Sequence, residues 1–183
     1  MRIITGTARG RKLTAPEGLT ARPTTEIVKE AVFSAIHFEV PGARVLDLFA
    51  GSGQMGLEAL SREAQSAVFV ENARVCLDAV RGNVSACGFE DKSRVLAMDA
   101  LAYIQSSGDT FDIAFLDPPY GEGILEAVLP YVARRMSERG VIICETGHRE
   151  DLPETVGDFA LAKIKRYGKT KVHYYRRPEK EEE

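Results

Sequence analysis

The sequence predicts an α/β fold in which a mostly parallel, seven-stranded sheet ends in an antiparallel hairpin. Five short apolar runs alternate with segments of helical periodicity between residues 44 and 145, and this alternation is typical of right-handed crossovers in a parallel sheet. Only Tyr167-Gly168-Lys169-Thr170 joins the last two runs, and a connection that short cannot link parallel strands. The arrangement is Rossmann-like, so we expect a ligand beyond the carboxyl ends of the strands.

The predicted elements follow one another with short connections. Two strand-like segments, 2–5 and 12–15, form a small N-terminal β-hairpin ahead of the first helix. A threonine of Arg22-Pro23-Thr24-Thr25 can cap that helix, and apolar residues then repeat at helical spacing as far as Ile36. The seven strands are predicted at 44–49, 67–70, 94–98, 111–116, 140–145, 161–166 and 171–176. The intervening helices are predicted at 54–62, 73–87, 100–105 and 122–136.

Positive charge is concentrated near both ends of the chain, although the net charge is −3. Residues 1–25 carry five basic side chains against one acidic side chain, and residues 163–177 carry seven basic side chains and no acidic one. Two basic ends can bind phosphate groups locally even though the net charge of the chain is negative. On charge alone, a solvated surface without a nucleic-acid partner explains the pattern equally well. The candidate phosphate contacts are Arg9, Arg11, Lys12, Arg22, Lys169 and Lys171.

A chain of 183 residues suits one compact domain with a short extension. We interpret residues 1–23 as a basic extension that docks RNA, residues 24–177 as the catalytic domain and residues 178–183 as an acidic, disordered tail. Three scattered cysteines and three isolated histidines indicate neither a metal site nor a disulfide framework. With no apolar run long enough for a membrane helix and no signal-peptide pattern, we expect a cytoplasmic protein.

A glycine-rich loop follows the first predicted strand. Gly51-Ser52-Gly53-Gln54-Met55-Gly56 matches the G-x-G-x-x-G pattern, and Glu71 lies 20 residues after Gly51, so the dinucleotide fingerprint is satisfied. Asp47 argues against NAD, because a pyrophosphate at this loop would meet a second, poorly shielded negative charge. S-adenosylmethionine carries an ammonium and a sulfonium group and no phosphate, so the same carboxylate would favour it. A tight turn without a ligand is the remaining alternative.

The predicted cofactor contacts surround this loop and the ends of the first three strands. Glu71 would accept hydrogen bonds from ribose hydroxyl groups. Asp99 could accept one from the adenine amino group, or it could cap the helix that starts at Ala100, and both roles are compatible. The full set is Asp47, Phe49, Gly51, Gly53, Gly56, Glu71, Asn72, Asp99 and Ala100.

The segment Asp117-Pro118-Pro119-Tyr120 follows the fourth predicted strand. Two prolines fix the backbone, so the Asp117 carboxylate and the Pro118 carbonyl can point at one spot and accept both N–H groups of a base amino group. The lone pair of a base amino nitrogen is conjugated with the ring and is therefore a poor nucleophile. Holding both N–H groups would orient this lone pair toward the methyl group that is to be transferred. The Tyr120 ring offers a surface on which an extruded base can stack. A plain strand terminator is the alternative, and the predicted catalytic residues are Asp117, Pro118 and Tyr120.

These residues resemble the bacterial family that methylates guanine N2 in small-subunit ribosomal RNA (RsmD type). The likeness covers nearly the whole chain and includes Arg2-Ile3-Ile4-x-Gly6, Gly10-Arg11-Lys12-Leu13, Arg22-Pro23-Thr24, Asp47-Leu48-Phe49-Ala50-Gly51-Ser52-Gly53, Leu57-Glu58-Ala59-Leu60-Ser61-Arg62, Asp117-Pro118-Pro119-Tyr120 and Tyr167-Gly168-x-Thr170. It departs from the family at Glu63, where we expect glycine, and at Lys29, where arginine is commoner. The resemblance implies a class I methyltransferase fold, S-adenosylmethionine as cofactor and N2-methylguanine in 16S rRNA as product.

The resemblance also implies a partner, namely the small ribosomal subunit or its assembly intermediate, and we expect the protein to act as a monomer. The main alternative is a DNA adenine-N6 or cytosine-N4 methyltransferase, which uses the same Asp-Pro-Pro-Tyr chemistry. The gaps between motifs are too short for the target-recognition region of such enzymes. If the protein were a nicotinamide-dependent oxidoreductase, Asp47 and Asp117 would have no explanation. If it were an inactive RNA-binding module, none of the predicted cofactor-binding and catalytic residues would have a role.

Overall fold

The computed structural model describes residues 1–18 and 24–179. The five α-helices of these residues are α1 (Glu26–Ala35), α2 (Gln54–Ser61), α3 (Arg74–Cys87), α4 (Ala100–Ser106) and α5 (Ile124–Ala133), and one 3-10 turn spans Glu90–Lys92. Their eight strands are β1 (Arg44–Asp47), β2 (Ser66–Glu71), β3 (Ser93–Ala97), β4 (Phe111–Leu116), β5 (Met136–Gly147), β6 (Thr155–Val156), β7 (Phe159–Tyr167) and β8 (Thr170–Arg176).

All eight strands form one sheet in the order β3-β2-β1-β4-β5-β8-β7-β6. The first five strands of this order are parallel, and the last three are antiparallel. The predicted parallel sheet with a closing hairpin is therefore confirmed, whereas the count of seven strands is wrong by one. The additional strand, β6, is only two residues long and pairs with the start of β7, too short a segment to produce a recognisable alternation.

Helices cover both faces of the sheet, as expected for parallel strands buried on both sides. Within β1, Val45 faces a core that contains apolar residues of α1, α2 and α3, while Leu46 faces a second core with residues of α4 and α5. The predicted helix 122–136 ends earlier, at Ala133, because Met136 pairs with Phe111 of β4 and so begins β5. No helix among the described residues is both long and apolar enough to span a bilayer.

The N-terminal extension is bound to α1 and α2. The expected strands 2–5 and 12–15 are reduced to one antiparallel bridge between Arg2 and Lys12, because the backbone N–H groups of Ile4 and Thr5 donate to the Glu58 carboxylate of α2 instead, at 2.9 and 3.0 Å. Gly6 approaches the same helix so closely, with φ +92°, that an added Cβ would lie 1.8 Å from the Ser61 carbonyl oxygen.

The two departures from the family pattern lie at the junction of these elements. Glu63 follows α2 with φ 72°, and no other non-glycine residue of the described chain has a positive φ. This left-handed geometry explains why glycine suits the position. Lys29 of α1 is fully buried, and its Nζ donates to the Arg2 carbonyl oxygen at 2.6 Å and lies 3.5 Å from Glu58 Oε2.

Candidate active site

The four neighbouring strands β2, β1, β4 and β5 each place a carboxylate at one edge of the sheet. Asp47 ends β1, Glu71 ends β2, Asp117 follows β4 and Glu145 lies near the end of β5. Because these strands are parallel and contiguous, their carboxyl ends share the edge at which α/β folds of this type bind ligands. The sequence predicted three of the four as site residues, and Glu145 was not among them.

The three glycines of the loop have three different roles. Gly51 adopts φ 56°, and a Cβ added there would meet no atom within 4 Å, so its open side permits a close approach by a ligand. Gly53 adopts φ 78° and is the N-cap of α2. Gly56 lies against Phe69 of β2, where an added Cβ would be 2.3 Å from the ring. We therefore interpret Gly51 as the ligand-facing glycine and Gly56 as a packing residue.

The Asp47 carboxylate is buried beneath this loop, with 4% of the residue exposed. Its Oδ2 accepts a hydrogen bond from the Gly56 N–H at 3.0 Å. Burial raises the pKa of Asp47 to about 7, an effect that the Gly56 hydrogen bond opposes and the nearby Glu71 charge reinforces. A cation at the loop would compensate the charged form of this carboxylate.

Replacing Asp47 with asparagine is expected to stabilise the ligand-free protein at alkaline pH. Because the pKa of Asp47 is higher in the folded state than in the unfolded state, the protonated carboxyl stabilises the folded protein. This stabilisation is lost as the pH rises from about 4 to about 7. The free energy of unfolding of Asp47→Asn, relative to that of wild type, should therefore increase by roughly 2–3 kcal/mol between pH 5 and pH 8. Urea unfolding at both pH values measures it, with the exposed Asp78→Asn as control. An advantage independent of pH would contradict the assignment.

Glu71 is held by three backbone groups. Its Oε2 accepts from the Gly51 N–H at 3.0 Å, and its Oε1 accepts from the N–H groups of Asn72 and Ala73, both at 2.9 Å. A carboxylate oxygen has two lone pairs, so Oε2 can still accept a ligand hydroxyl group. The carboxylate thus fixes the glycine loop against the start of α3 and remains a hydrogen-bond acceptor.

The other predicted cofactor residues lie around the same edge. Asp99 Oδ1 accepts from the Ala102 N–H at 2.9 Å and caps α4, which confirms the capping role. Its contact with an adenine amino group stays a prediction. Ala100 begins α4, Phe49 is half-buried in the loop after β1, and Asn72 is exposed beyond the end of β2.

Asp117, Thr24, Glu145 and Tyr120 form a connected polar cluster. The Thr24 hydroxyl oxygen lies 3.4 Å from Asp117 Oδ2 and 3.2 Å from Glu145 Oε2. One hydroxyl group has one proton, so it donates to one of these carboxylates at a time. The Tyr120 hydroxyl donates to Glu145 Oε1 at 2.8 Å. The cluster therefore connects the segment before α1 to the ends of β4 and β5.

The electrostatics of this cluster make the charged form of Asp117 costly. Burial raises the pKa of Asp117 well above its usual value, and the charges of Glu145 and Asp47 raise it further, while the Thr24 hydrogen bond opposes the rise. Burial also raises the pKa of the Tyr120 hydroxyl, which therefore stays neutral. Pro118 is buried and Tyr120 is 38% exposed, so the tyrosine ring is accessible to a ligand.

Two residues of this cluster were missed by sequence analysis. Thr24 was considered as a helix cap, but Thr25 is the N-cap of α1 and accepts from the Val28 N–H, which leaves Thr24 to face the carboxylates. Glu145 lies near the end of the last parallel strand of the sheet. The rule that ligands bind at the carboxyl ends of parallel strands was the signal that could have identified it.

The candidate phosphate contacts have different surroundings. Arg9, Arg11 and Lys12 are exposed on the N-terminal extension, and Lys169 is exposed in the turn between β7 and β8. Lys171 does not lie on the surface, contrary to expectation: its side chain is 3% exposed and Nζ lies 2.6 Å from Asp151 Oδ1. β8 lies between β5 and β7, and all its residues from Thr170 to Tyr175 are buried. Arg22 lies outside the described residues.

Comparison with known proteins identifies the family. The family model described as "Conserved hypothetical protein 95" matches residues 1–176. The ribosomal RNA small subunit methyltransferase D of Escherichia coli (strain K12) is 32% identical over 179 residues, which cover 97% of this chain and 90% of that protein. The chain belongs to the ribosomal RNA small subunit methyltransferase D family.

Solved structures agree with membership of the methyltransferase D family. The structure of the yhhF protein of Escherichia coli matches with a TM-score of 0.86 and 34% identity, covering 97% of each chain. SMU.776, solved in complex with SAH (S-adenosylhomocysteine), has the same fold at 15% identity, with a TM-score of 0.66, and the match covers 78% of this chain and 48% of that chain. The predicted Rossmann-like methyltransferase fold is therefore confirmed.

Proposed function

We propose that this protein transfers a methyl group from S-adenosylmethionine to the N2 amino group of a guanine in 16S ribosomal RNA. The observation that carries the proposal is the position of Asp117-Pro118-Pro119-Tyr120 at the same sheet edge as the glycine loop, in a chain of the methyltransferase D family. The test is transfer of labelled methyl groups to small ribosomal subunits, with naked rRNA and DNA as comparisons.

The residues at the glycine loop suit S-adenosylmethionine better than NAD. Gly51 leaves open space beside the loop, and Glu71 Oε2 retains a lone pair for a ribose hydroxyl group. The buried Asp47 carboxylate favours a cationic ligand and disfavours a pyrophosphate. SMU.776, the protein of the same fold that was solved with SAH, bound the demethylated form of this cofactor.

The chemistry at Asp117 follows from the weak nucleophilicity of a base amino nitrogen. Bound S-adenosylmethionine would supply the methyl carbon: the new N–C bond would form as the C–S bond breaks, with the bonding pair kept on sulfur and one proton then lost from nitrogen. Asp117 and the Pro118 carbonyl would accept the two N–H groups and orient the lone pair. The raised pKa of Asp117 makes its ionised form a suitable acceptor for the released proton.

RNA would dock through the basic residues of the extension, which is fixed to the catalytic domain by Glu58. Arg9, Arg11 and Lys12 are exposed there, and arginine and lysine bind phosphates without reading sequence. Tyr120 would stack on the extruded target base. Lys169, at the turn beside the site, extends the proposed contact surface.

Removal of Arg11 and Lys12 together is expected to weaken binding of small subunits and to flatten its salt dependence. The log–log slope of affinity against salt should fall by about one for each phosphate that the variant no longer neutralises, and affinity for S-adenosylmethionine should not change. Fluorescence binding titrations at several salt concentrations measure the slope. Arg134→Ala with Arg139→Ala is the matched control, since both arginines are exposed and lie at or beyond the end of α5, which packs on the opposite face of the sheet from the extension. Equal slopes in the two double variants would contradict the docking surface.

A further inference from the structure

A groove lies between the start of α1 and the turn that joins β7 to β8. It has a volume of about 250 Å³, and its described lining residues are Thr25, Ile27, Val28, Glu145, Tyr167, Gly168 and Thr170. Glu145 supplies the one carboxylate in this lining, among mostly apolar and hydroxyl-bearing groups. Glu145 also lines a neighbouring pocket together with Pro118 and Tyr120, so its carboxylate lies between the apolar wall of the groove and the proposed catalytic segment.

Glu145 is also a close neighbour of the proposed catalytic carboxylate. A single hydroxyl group, that of Thr24, lies within hydrogen-bonding distance of both Asp117 Oδ2 and Glu145 Oε2. The Tyr120 hydroxyl donates to the other oxygen, Oε1, at 2.8 Å and so orients the carboxylate. Two carboxylate acceptors are thus held on either side of the Thr24 hydroxyl group, beside the segment proposed to bind the target amino group.

The three bases with exocyclic amino groups differ in the ring atom beside that group. In guanine the neighbour of the N2 amino group is N1–H, a second donor. In adenine and cytosine the neighbours of N6 and N4 on the pairing edge are N1 and N3, which are acceptors. A pair of adjacent carboxylates therefore complements guanine, whereas it would place an acceptor against an acceptor with either of the other bases.

We infer that Glu145 accepts the N1–H of the target guanine while Asp117 holds its N2 amino group, so that Glu145 selects guanine over adenine and cytosine. This inference rests on the proposed function and adds a specificity-determining residue to it. A charge-assisted hydrogen bond is about twice as strong as a neutral one. A site built to bind a substrate N–H also rejects analogues that lack it far more strongly than an apolar pocket does.

The base 2,6-diaminopurine probes this contact, because it keeps the 2-amino group of guanine but has an unprotonated N1. It also has an amino group in place of O6, so the comparison between wild type and Glu145→Gln is what isolates the N1 contact. Small subunits reconstituted with either guanine or 2,6-diaminopurine at the target position would be compared in single-turnover methylation. Wild-type protein should prefer guanine by on the order of 10² or more. Glu145→Gln can turn its amide N–H toward the unprotonated N1, so this preference should fall at least tenfold while the guanine rate also falls.

Three further variants distinguish loss of the Glu145 contact from misfolding and from a failure of the proposed function. Glu145→Asp retains the charge and should retain the preference for guanine at a reduced rate. Glu138→Gln removes an exposed carboxylate near the start of β5, at the opposite end of that strand from Glu145, and should change neither quantity. A wild-type protein that methylates both bases equally, or an unchanged preference in folded Glu145→Gln, would overturn the role of Glu145 alone. A folded Asp117→Ala variant with the wild-type guanine rate would instead overturn the catalytic role of Asp117, and a wild-type protein that forms no N2-methylguanine would overturn the proposed function.

Discussion

Asp117→Ala should reduce the single-turnover rate of methylation by on the order of 10² or more, the scale on which one preorganised electrostatic partner acts. The carboxylate is expected to hold the target amino group and to compensate the positive charge that develops on its nitrogen. Affinity for S-adenosylmethionine should change much less, because the loop around Gly51 and Glu71 is independent of Asp117. The variant should remain folded, since the change removes the charge repulsion with Glu145 and Asp47.

The asparagine variant at the same position separates shape from charge. Asp117→Asn presents a carbonyl oxygen but no negative charge, so its rate should lie between those of wild type and alanine. Single-turnover measurements with saturating cofactor prevent substrate binding and product release from masking the chemical step. Circular dichroism melts must show that each variant is folded. A folded Asp117→Ala protein that methylates at close to the wild-type rate would make the segment a strand terminator and refute the catalytic assignment.

Glu58→Ala should destabilise the protein by about 3–5 kcal/mol, the usual cost of leaving a buried charge without its partner. Glu58 and Lys29 both have fully buried side chains. Burial lowers the pKa of Lys29, and the Glu58 charge and hydrogen bond oppose that change. The backbone N–H groups of Ile4 and Thr5 would also lose their acceptor, so the N-terminal extension should become accessible to proteases.

A double variant tests whether the unpaired charge causes this loss. Replacement of a buried ion pair by apolar residues often costs little, so Glu58→Ala combined with Lys29→Met should recover part of the stability lost in Glu58→Ala. Urea unfolding of the four proteins in the cycle gives the coupling energy between the two side chains. A cost below about 0.5 kcal/mol for Glu58→Ala, the range of ordinary surface substitutions, would contradict the structural role.

The parts of the fold that sequence predicted are those set by local pattern. Alternating periodicities located the parallel strands and the closing hairpin, and glycine and proline marked the loops at the carboxyl edge. The glycine expected at position 63 is explained by the positive φ of Glu63. Strand β6 has only two residues, too few to show an alternation of polar and apolar side chains. The start of β5 at Met136 depends on pairing with Phe111, a contact between segments that are distant in sequence.

The site was harder to predict than the sheet because its polar contacts join distant segments. Thr24 meets Asp117 and Glu145 across 93 and 121 residues of chain, and no spacing rule connects such positions. The distribution of charge in the sequence also could not show that the Lys171 side chain is buried against Asp151 whereas Lys169 is exposed. The sequence nevertheless located Asp47, Glu71 and Asp117 because each lies at or just beyond the end of a predicted strand.

The most direct test of the proposed function is the identity of the methylated nucleoside. Purified protein would be incubated with labelled S-adenosylmethionine and small ribosomal subunits, naked rRNA or DNA, and the nucleic acid would be digested to nucleosides for mass spectrometry. We expect the label in N2-methylguanosine from 16S rRNA, formed at an initial rate lower by a factor on the order of 10² or more when folded Asp117→Ala is used under the same conditions. Label in N6-methyladenine or N4-methylcytosine from DNA, with none in ribosomal RNA, would contradict the account.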